Sequence, residues 1–387
     1  MKLTTELAYP ILAKLRELLD YNINIMDDKG MIVASSDVNR IDQIHEGSLK
    51  VIQTKQSLVI YSSDVKDFSG TKPGVNLPIE FLGEVIGVVG VTGHPDDLYK
   101  FASVMKVTVE VMIQQVYVNN QIHYQNQVME GWILDLIHPY GLDSKKVEAN
   151  AKHLLNINTS DHVCVFLLQF MNLSMVKGNY KNPKQLIIGN ERKTTILHDL
   201  KILTKPVFIS FIDNECCLVG ISCNEKNVEK EKAIGNNVYS FFETKGYNLI
   251  IGIGNCRNGI LGYRQSYLEA KQSLSLNMKL NEQTEISHIS DWGFIRLLDY
   301  IPQKIRKEYL DEYLGEVEKI NEELRRTIEV FFDHDFSMKI TSEKLHIHRN
   351  TLIYRLNRIQ KLLNLDPRKF EDALLLKALL LFKKFEC

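Results

Sequence analysis

Apolar residues recur at three- and four-residue spacing over Leu7, Ile11, Leu12, Leu15, Leu18 and Leu19, which predicts an amphipathic helix near the start of the chain. Two short apolar runs follow, Asn22-Ile-Asn-Ile-Met26 and Met31-Ile-Val-Ala34. The Asp27-Asp28-Lys29-Gly30 between them reads as a hairpin turn, with Gly30 at a position of positive φ. Leu77-Pro-Ile-Glu-Phe81 and Glu84-Val-Ile-Gly-Val-Val-Gly-Val91 form a second strand pair through Leu82-Gly83. Helix, hairpin, loop, hairpin and helix in that order predict an α+β layer whose antiparallel sheet shields a cavity.

From about 96 to 137 the pattern is helical and free of proline. Leu98, Phe101, Met105, Thr108, Met112 and Gln115 follow one face, and a polar stretch from Asn119 to Gln127 continues it. An isolated helix of that length must bury its stripe, so it is expected to dimerise or to signal between domains. The alternative is a helix packed only on its own domain and broken near Asn119-Asn120. His138-Pro139-Tyr140-Gly141 ends the element. The middle of the chain alternates strands (163–168, 207–212, 215–219 and 249–253) with helices, one of them over 262–271. The last part is almost entirely helical.

With 387 residues, 44% hydrophobic and 25% charged, the chain has the balance of a globular protein of two or three domains. The net charge of -1 confines any nucleic-acid contact to a local basic module. Six cysteines, at 164, 216, 217, 223, 256 and 387, form no C-x-x-C pair and are expected to be reduced and structural. The opening residues are interrupted by Glu6, Lys14, Arg16 and Glu17, unlike a signal or transit peptide, and no apolar run reaches the roughly 20 residues of a membrane span. A cytoplasmic location is expected.

Near the C-terminus, Thr341 or Ser342 is placed to cap a short helix carrying Leu345, and a turn at His346-Ile347 leads to a second helix capped near His348 to Asn350. Leu352, Ile353, Leu356 and Ile359 make the apolar face of that helix. Arg349, Asn350, Thr351, Tyr354, Arg355 and Arg358 are expected to meet double-stranded DNA in the major groove. Residues 336–369 carry eight Lys and Arg against Glu343 and Asp366, a surplus of six positive charges. His346 and His348 lack Cys or carboxylate partners at ligand spacing, so they read as capping residues and no metal site is expected. The run His348-Arg-Asn-Thr-Leu-Ile-Tyr-Arg-Leu356 resembles the H-x-N-T-L-x-Y-R-L of the PucR and carbohydrate diacid regulator (CdaR) families.

In the first block, Ser35 to Gly47 and Lys72 to Ile79 gather polar groups suited to a carboxylate. Arg40 offers a two-pronged cation, His45 a hydrogen-bond donor, and Gly74 a close main-chain approach, while Ser35 and Asn76 could meet hydroxyls. Ile23 to Asp27, Ser35 to Gly47, Pro73-Gly-Val-Asn-Leu-Pro78 and Gly87 to Gly93 resemble the sugar diacid recognition domain of CdaR-type regulators. Ser36 and Asp42 stand where that pattern has glycine. The resemblance implies a ligand site of Ser35, Arg40, His45, Glu46, Gly47, Gly74, Val75, Asn76, Leu77 and Thr92. The middle of the chain resembles a degenerate GGDEF-like domain through Gly252-Ile-Gly254 and Tyr267-Leu-Glu-Ala-Lys271, yet the chain contains no G-G-[DE]-E-F stretch.

The expectation is an α+β multidomain protein: residues 1–137, a PAS/Cache-like sensor with the signalling helix; 138–290, a GGDEF-like α/β domain; and 291–387, an all-α helix-turn-helix domain. It would be a ligand-responsive transcription regulator, activating by resemblance. It would sense a small hydroxy-acid such as glycerate, glucarate or galactarate, bind operator DNA as a homodimer or higher oligomer, stay off membranes, and use no cofactor, metal or catalytic residue. The alternatives are a nucleotide-cyclase-like signalling enzyme and a metabolite-binding protein without DNA binding.

Overall fold

A computed structural model describes all residues except 1, 19–20, 69–70, 172, 174–182, 224–225, 281–283, 318–319 and 387. The expectations for Leu19 and Cys387 thus fall outside the described residues. The chain divides into two units, Met1–Gln125 and Asn126–Cys387.

The first unit begins with α1 (Thr5–Leu18), followed by β1 (Asn22–Asp27), β2 (Ile32–Ser35), α2 (Glu46–Thr54), β3 (Leu58–Ile60), β4 (Gly74–Phe81) and β5 (Glu84–Thr92). The strands form one antiparallel sheet in the order β2-β1-β5-β4-β3. Both expected hairpins are present: Gly30 has φ +77°, and the second turn places Leu82 and Gly83 at +52° and +83°. The strand period of two divides the sheet between two faces. Ile23, Ile25, Val75, Leu77, Ile79, Val89 and Val91 pack into one core with Leu12 and Leu15 of α1. Met26 and Val88 face the other way, onto Val51 of α2.

The long helix α3 (Pro95–Ile137) is unbroken through Asn119-Asn120. Leu98 and Met105 are buried in the first unit's core beside Ala102, Val109 and Ile113, with Phe101 and Met112 packed against it. The stripe expected to mediate dimerisation or interdomain contact is therefore ordinary core within this unit. Sheet and helix bury it together, as an amphipathic stripe requires.

In the second unit, the end of α3 supplies Trp132, Ile133 and Leu136 to a core shared with α4 (Ser144–Leu154). Then come β6 (His162–Met171), α5 (Pro183–Thr204), β7 (Phe208–Phe211), β8 (Cys216–Ser222), α6 (Val228–Thr244), β9 (Asn248–Ile253), β10 (Arg257–Asn258), α7 (Gly259–Leu280) and β11 (Ile286–His288). The sheet runs β11-β9-β6-β8-β7, with β10 on β6. One face packs on α5 and α6 through Ile196, Leu200, Val238 and Phe242; the other packs on α4 and α7. Cys164, Cys216 and Cys217 are buried free thiols. The expectation of reduced cysteines fails at Cys223 and Cys256, which are joined as a disulfide across a separation of 33 residues. The loops after β8 and β9 meet in space, which linear spacing does not reveal.

Helices α8 (Gly293–Asp299), α9 (Gln303–Val317), α10 (Glu322–Asp333), α11 (Met338–Lys344), α12 (Arg349–Leu363) and α13 (Phe370–Glu386) complete the chain. Their core takes in Leu276 and Leu280 from the end of α7, so the terminal helices grow directly from the middle layer. A polar junction reinforces this. Glu269 on α7, its side chain 1% exposed, accepts hydrogen bonds from Arg257 Nη2 (2.6 Å), Asn255 N (3.0 Å), Asn255 Nδ2 (2.8 Å) and Arg296 Nη2 on α8 (3.3 Å).

Burial alone would raise the Glu269 pKa, but the donors from Arg257 and Asn255 outweigh it and hold the carboxyl at about 2, against an ordinary 4.5. A carboxyl depressed by folding stabilises the native state above its unfolded pKa, and that stability is lost as pH falls from about 4.5 toward 2. Urea unfolding across this acid range should show the loss in the wild type and a flatter profile for Glu269→Gln. Glu269→Ala, which removes the shared acceptor of two partly exposed arginines, should cost about 1–3 kcal/mol at neutral pH. Identical pH profiles for wild type and Glu269→Gln would contradict this role.

Candidate ligand site and nucleic-acid interface

The face of the first sheet that α2 covers carries buried polar side chains. Asn24 on β1, Gly90 on β5 and Asn76 on β4 pair directly across the sheet. Asn24, Asn76 and Ser35 are each 3% exposed. Ser35 Oγ donates to Asn24 Oδ1 (2.7 Å) and accepts from Asp37 N (3.0 Å). Gly90 keeps the middle of the row open, since a Cβ there would lie 2.7 Å from Asn76 Oδ1. The row is a polar floor in an otherwise apolar layer.

His45 caps α2, the helix that packs on this face of the sheet. Its Nδ1 accepts from Ser48 N (3.2 Å), so the neutral ring carries its proton on Nε2. Burial, and then the Arg40 charge, push the His45 pKa down to about 4, which makes it a neutral donor at pH 7. Arg40 is half-buried at the end of a single 3-10 turn, Val38–Arg40, that Asp37 caps. Burial lowers the Arg40 pKa and the nearby Asp37 opposes that shift. Asp42, where the family pattern has glycine, adopts φ +63°, and Ser36, at the other such position, uses its Oγ to accept from Ile23 N (3.1 Å).

Of the expected site residues, Ser35 and Asn76 lie on this face, and His45 and Gly47 stand at the start of α2, the helix that packs on it. Gly47 lies against the His45 ring, 3.1 Å from its Cε1 to a would-be Cβ. Thr92 and Gly74 form a directly paired position on the same side of the sheet. Val75 and Leu77 alternate to the opposite face, where their side chains lie in the α1–α3 core. Glu46 opens α2 and is exposed. Gly74 serves strand packing, because a Cβ would fall 2.2 Å from Val91 O. β4 pairs with both β3 and β5, so the main chain from Gly74 to Asn76 is occupied by the sheet ladder and is not a free set of donors. Asn24, Ser48 and Gly90 escaped the sequence reading. An asparagine between Ile23 and Ile25, on an otherwise apolar strand, was the available signal.

At the C-terminus, α11 and α12 form the expected helix-turn-helix. The first cap is Ser337, whose side chain accepts from Ile340 N, rather than Thr341 or Ser342; Thr341 is buried inside α11. His346 turns the chain at φ +50°, and His348 caps α12 by accepting from Asn350 N (3.2 Å). Leu352, Leu356, Ile359 and Leu363 are buried. Arg349, Asn350, Thr351, Tyr354 and Arg358 are exposed together on the outer side. Arg355 departs from expectation. It turns back onto α10, where its guanidinium pairs with Glu323 and donates to Thr327 Oγ1 (3.3 Å), so it positions the helix instead of facing outward.

Three family models match the chain: sugar diacid recognition over residues 3–136, a GGDEF-like domain over 143–276, and the PucR C-terminal helix-turn-helix domain over 324–382. The chain is 27% identical to the carbohydrate diacid regulator of Escherichia coli, across 97% of this chain and 96% of that protein. It is 31% identical to the proline-responsive transcriptional activator PutR of Bacillus subtilis over 35% of each. A DNA-binding transcriptional activator of the same organism, AdeR, matches at 30% identity over 30% of this chain and 29% of that protein.

Proposed function

We propose, from this likeness to carbohydrate diacid regulators along nearly its whole length, that the chain is a ligand-responsive DNA-binding transcription regulator. The observation that carries the reading is α12. A helix capped by His348 buries its leucines and presents Arg349, Asn350, Thr351, Tyr354 and Arg358 together, within a segment holding six surplus positive charges. That is the chemistry a major groove and its phosphates select. The GGDEF-like layer acts as scaffold and relay rather than as an enzyme, since the chain lacks the acidic cyclase motif. Among the described residues no helix is long and apolar enough to cross a membrane.

The first unit is the sensor. The sheet order β2-β1-β5-β4-β3, with a helix over a polar sheet face, supports a PAS/Cache-like reading. Its ligand is a small hydroxy-acid of the glycerate, glucarate or galactarate kind. Arg40 and His45 meet the carboxylate, and Asn24, Ser35 and Asn76 meet the hydroxyls. Regulation is by activation, as in the relatives named activators. The partner is a second copy of this chain. Val104, Val111 and Val118 repeat every seven residues on α3, Val107 falls between the first two, and all four are 46–64% exposed. Valine at such heptad positions suits a two-stranded coiled coil.

Alanine variants of α12 should separate by role. Asn350→Ala should cost about 1–3 kcal/mol on operator and little on scrambled DNA, whereas Arg358→Ala should weaken both and lower the salt slope by about one. Arg355→Ala should instead destabilise the fold and leave the salt slope unchanged. Operator and scrambled-DNA affinities over a salt series read all three; undiminished binding by Asn350→Ala and Arg358→Ala would remove α12 from the interface.

For the sensor, calorimetry with hydroxy-acids should show binding that Arg40→Ala weakens by about 2–5 kcal/mol. A bound carboxylate favours protonated His45 and raises its pKa from about 4, so affinity should increase as pH falls from 7 toward 5 with proton uptake. His45→Ala should abolish that pH dependence. Full affinity in both variants would place the ligand elsewhere. For the assembly, Val107→Glu with Val111→Glu should give monomers in sedimentation; an unchanged dimer would exclude this face.

A further inference from the structure

Cys223 and Cys256 are joined as a disulfide between the loops that flank the start of β6. Cys223 follows β8, and its N–H donates to His162 O (2.9 Å). Cys256 precedes β10, which pairs with Val163 and His162 on the side of β6 away from β8. The two sulfurs differ in access: Cys223 is half-buried, whereas Cys256 is 1% exposed. A carboxylate oxygen of buried Glu231 lies within 4.8 Å of both. Glu231 Oε2 meets His288 Nε2 at 3.0 Å, and His288 Nδ1 accepts from Ser290 N (3.1 Å), so Nε2 carries the ring proton. Glu231 Oε1 has no hydrogen-bond partner among the described residues. Cys164, Cys216 and Cys217 stay free and buried. A single bond beside three free thiols suits a pair that opens and closes more than a framework laid down in an oxidising compartment.

We propose that Cys223 and Cys256 form a reversible redox-modification site, closed by hydrogen peroxide and opened by a dithiol. It gives the chain an input besides the small molecule proposed above, and rests on that reading only for its use. In closing, the Cys223 thiolate, the sulfur that solvent reaches, attacks the peroxide. The O–O bond breaks, Cys223 becomes a sulfenic acid, and the departing hydroxide takes the thiol proton to leave as water. Cys256 attacks that sulfur, the S–OH bond breaks, and the hydroxyl leaves with the Cys256 proton as a second water. Two thiols are oxidised to one disulfide and one peroxide is reduced to two waters. In opening, one thiol of the reductant attacks Cys223, the S–S bond breaks, and Cys256 leaves and takes a proton. The second thiol then displaces Cys223 and closes the reductant's own disulfide. Glu231 favours the open form. A buried acceptor without a donor is costly, the more so when charged, and a thiol S–H is a donor where a disulfide sulfur is not. Reduction gives Oε1 the partner that the bond denies it. The bond also bears on the Glu269 junction, because Cys256 stands between Asn255 and Arg257, which donate to that carboxylate. Closed, it fastens their loop to the end of β8; open, it leaves the loop to Glu269 and the two-residue β10.

The full-length chain, without ligand or DNA, is reduced with dithiothreitol, freed of it, and treated with one equivalent of hydrogen peroxide. Alkylation in denaturant followed by mass spectrometry should find the Cys223–Cys256 cross-link within one chain and Cys164, Cys216 and Cys217 still alkylated. Cys256→Ser should stop at a Cys223 sulfenic acid that dimedone traps, and Cys223→Ser should give no adduct at Cys256. In mixtures of reduced and oxidised dithiothreitol without denaturant, wild type should interconvert fully. Glu231→Gln, whose neutral amide loses less by lacking a donor, should need about tenfold more dithiol for half reduction. Hydrogen exchange across residues 254–258 should be faster in the reduced wild type than in the oxidised. Wild type alone decides the closing and opening steps, so neither depends on a variant folding. A bond that forms between chains, peroxide that reaches the three buried thiols first, or a disulfide that opens only in denaturant would overturn the proposal. Equal exchange in the two states would remove the bond's hold on the Glu269 junction.

Discussion

A buried polar group must find a partner inside the protein, and this requirement organises the parts of the chain that are not simple core. In the first unit it places Asn24, Ser35 and Asn76 on one sheet face and His45 and Ser48 at the start of α2, which packs on that face. Ser35 satisfies Asn24, and the His45 ring satisfies the amide of Ser48. A sheet buried on both sides could be apolar throughout, as its α1–α3 face nearly is. The polar face gives up hydrophobic burial and in return offers donors and acceptors of fixed geometry.

In the second unit the same requirement makes a mechanical junction. Glu269 could not stay ionised at 1% exposure without Arg257, Asn255 and Arg296 around it. Two of those partners, Arg257 and Asn255, belong to the middle layer and the third, Arg296, to α8. Trp292 Nε1 donates to Ser273 Oγ (2.9 Å), and Ser273 Oγ donates to Ser287 O (2.9 Å), which adds a second polar tie at the same place. Leu276 and Leu280 of α7 lie inside the terminal core together with Leu352 and Leu356 of α12. Such a packed junction has few intermediate arrangements, which suits a two-state relay.

Periodicity made most of the fold legible. Strand alternation found both hairpins, and the apolar spacing found α3 and the buried side of α12. It could say which residues share a face but not which partner covers that face, so Leu98 and Met105 read as an interface when they are core. Val75 and Leu77 stand in the same contiguous motif as Asn76, yet a strand sends alternate residues to opposite sides and their side chains lie in the core. Arg355 shows the same gap on a helix, where its ion pair with Glu323 on α10 depends on tertiary packing. The meeting of Cys223 and Cys256 was hidden for a related reason, because it joins two loops only after the sheet has formed.

If a hydroxy-acid on the polar face of the first unit controls α12, ligand and DNA must be thermodynamically linked, and the linkage must be the same from either side. The direct measurement is operator affinity of the full-length wild type by fluorescence anisotropy with and without a hydroxy-acid it binds, paired with ligand affinity measured with and without operator. A coupling of about 5–150-fold, equal within error in both directions, is the expected result. A ligand that binds tightly while both affinities stay unchanged would contradict the claim that this chain is a ligand-controlled DNA reader.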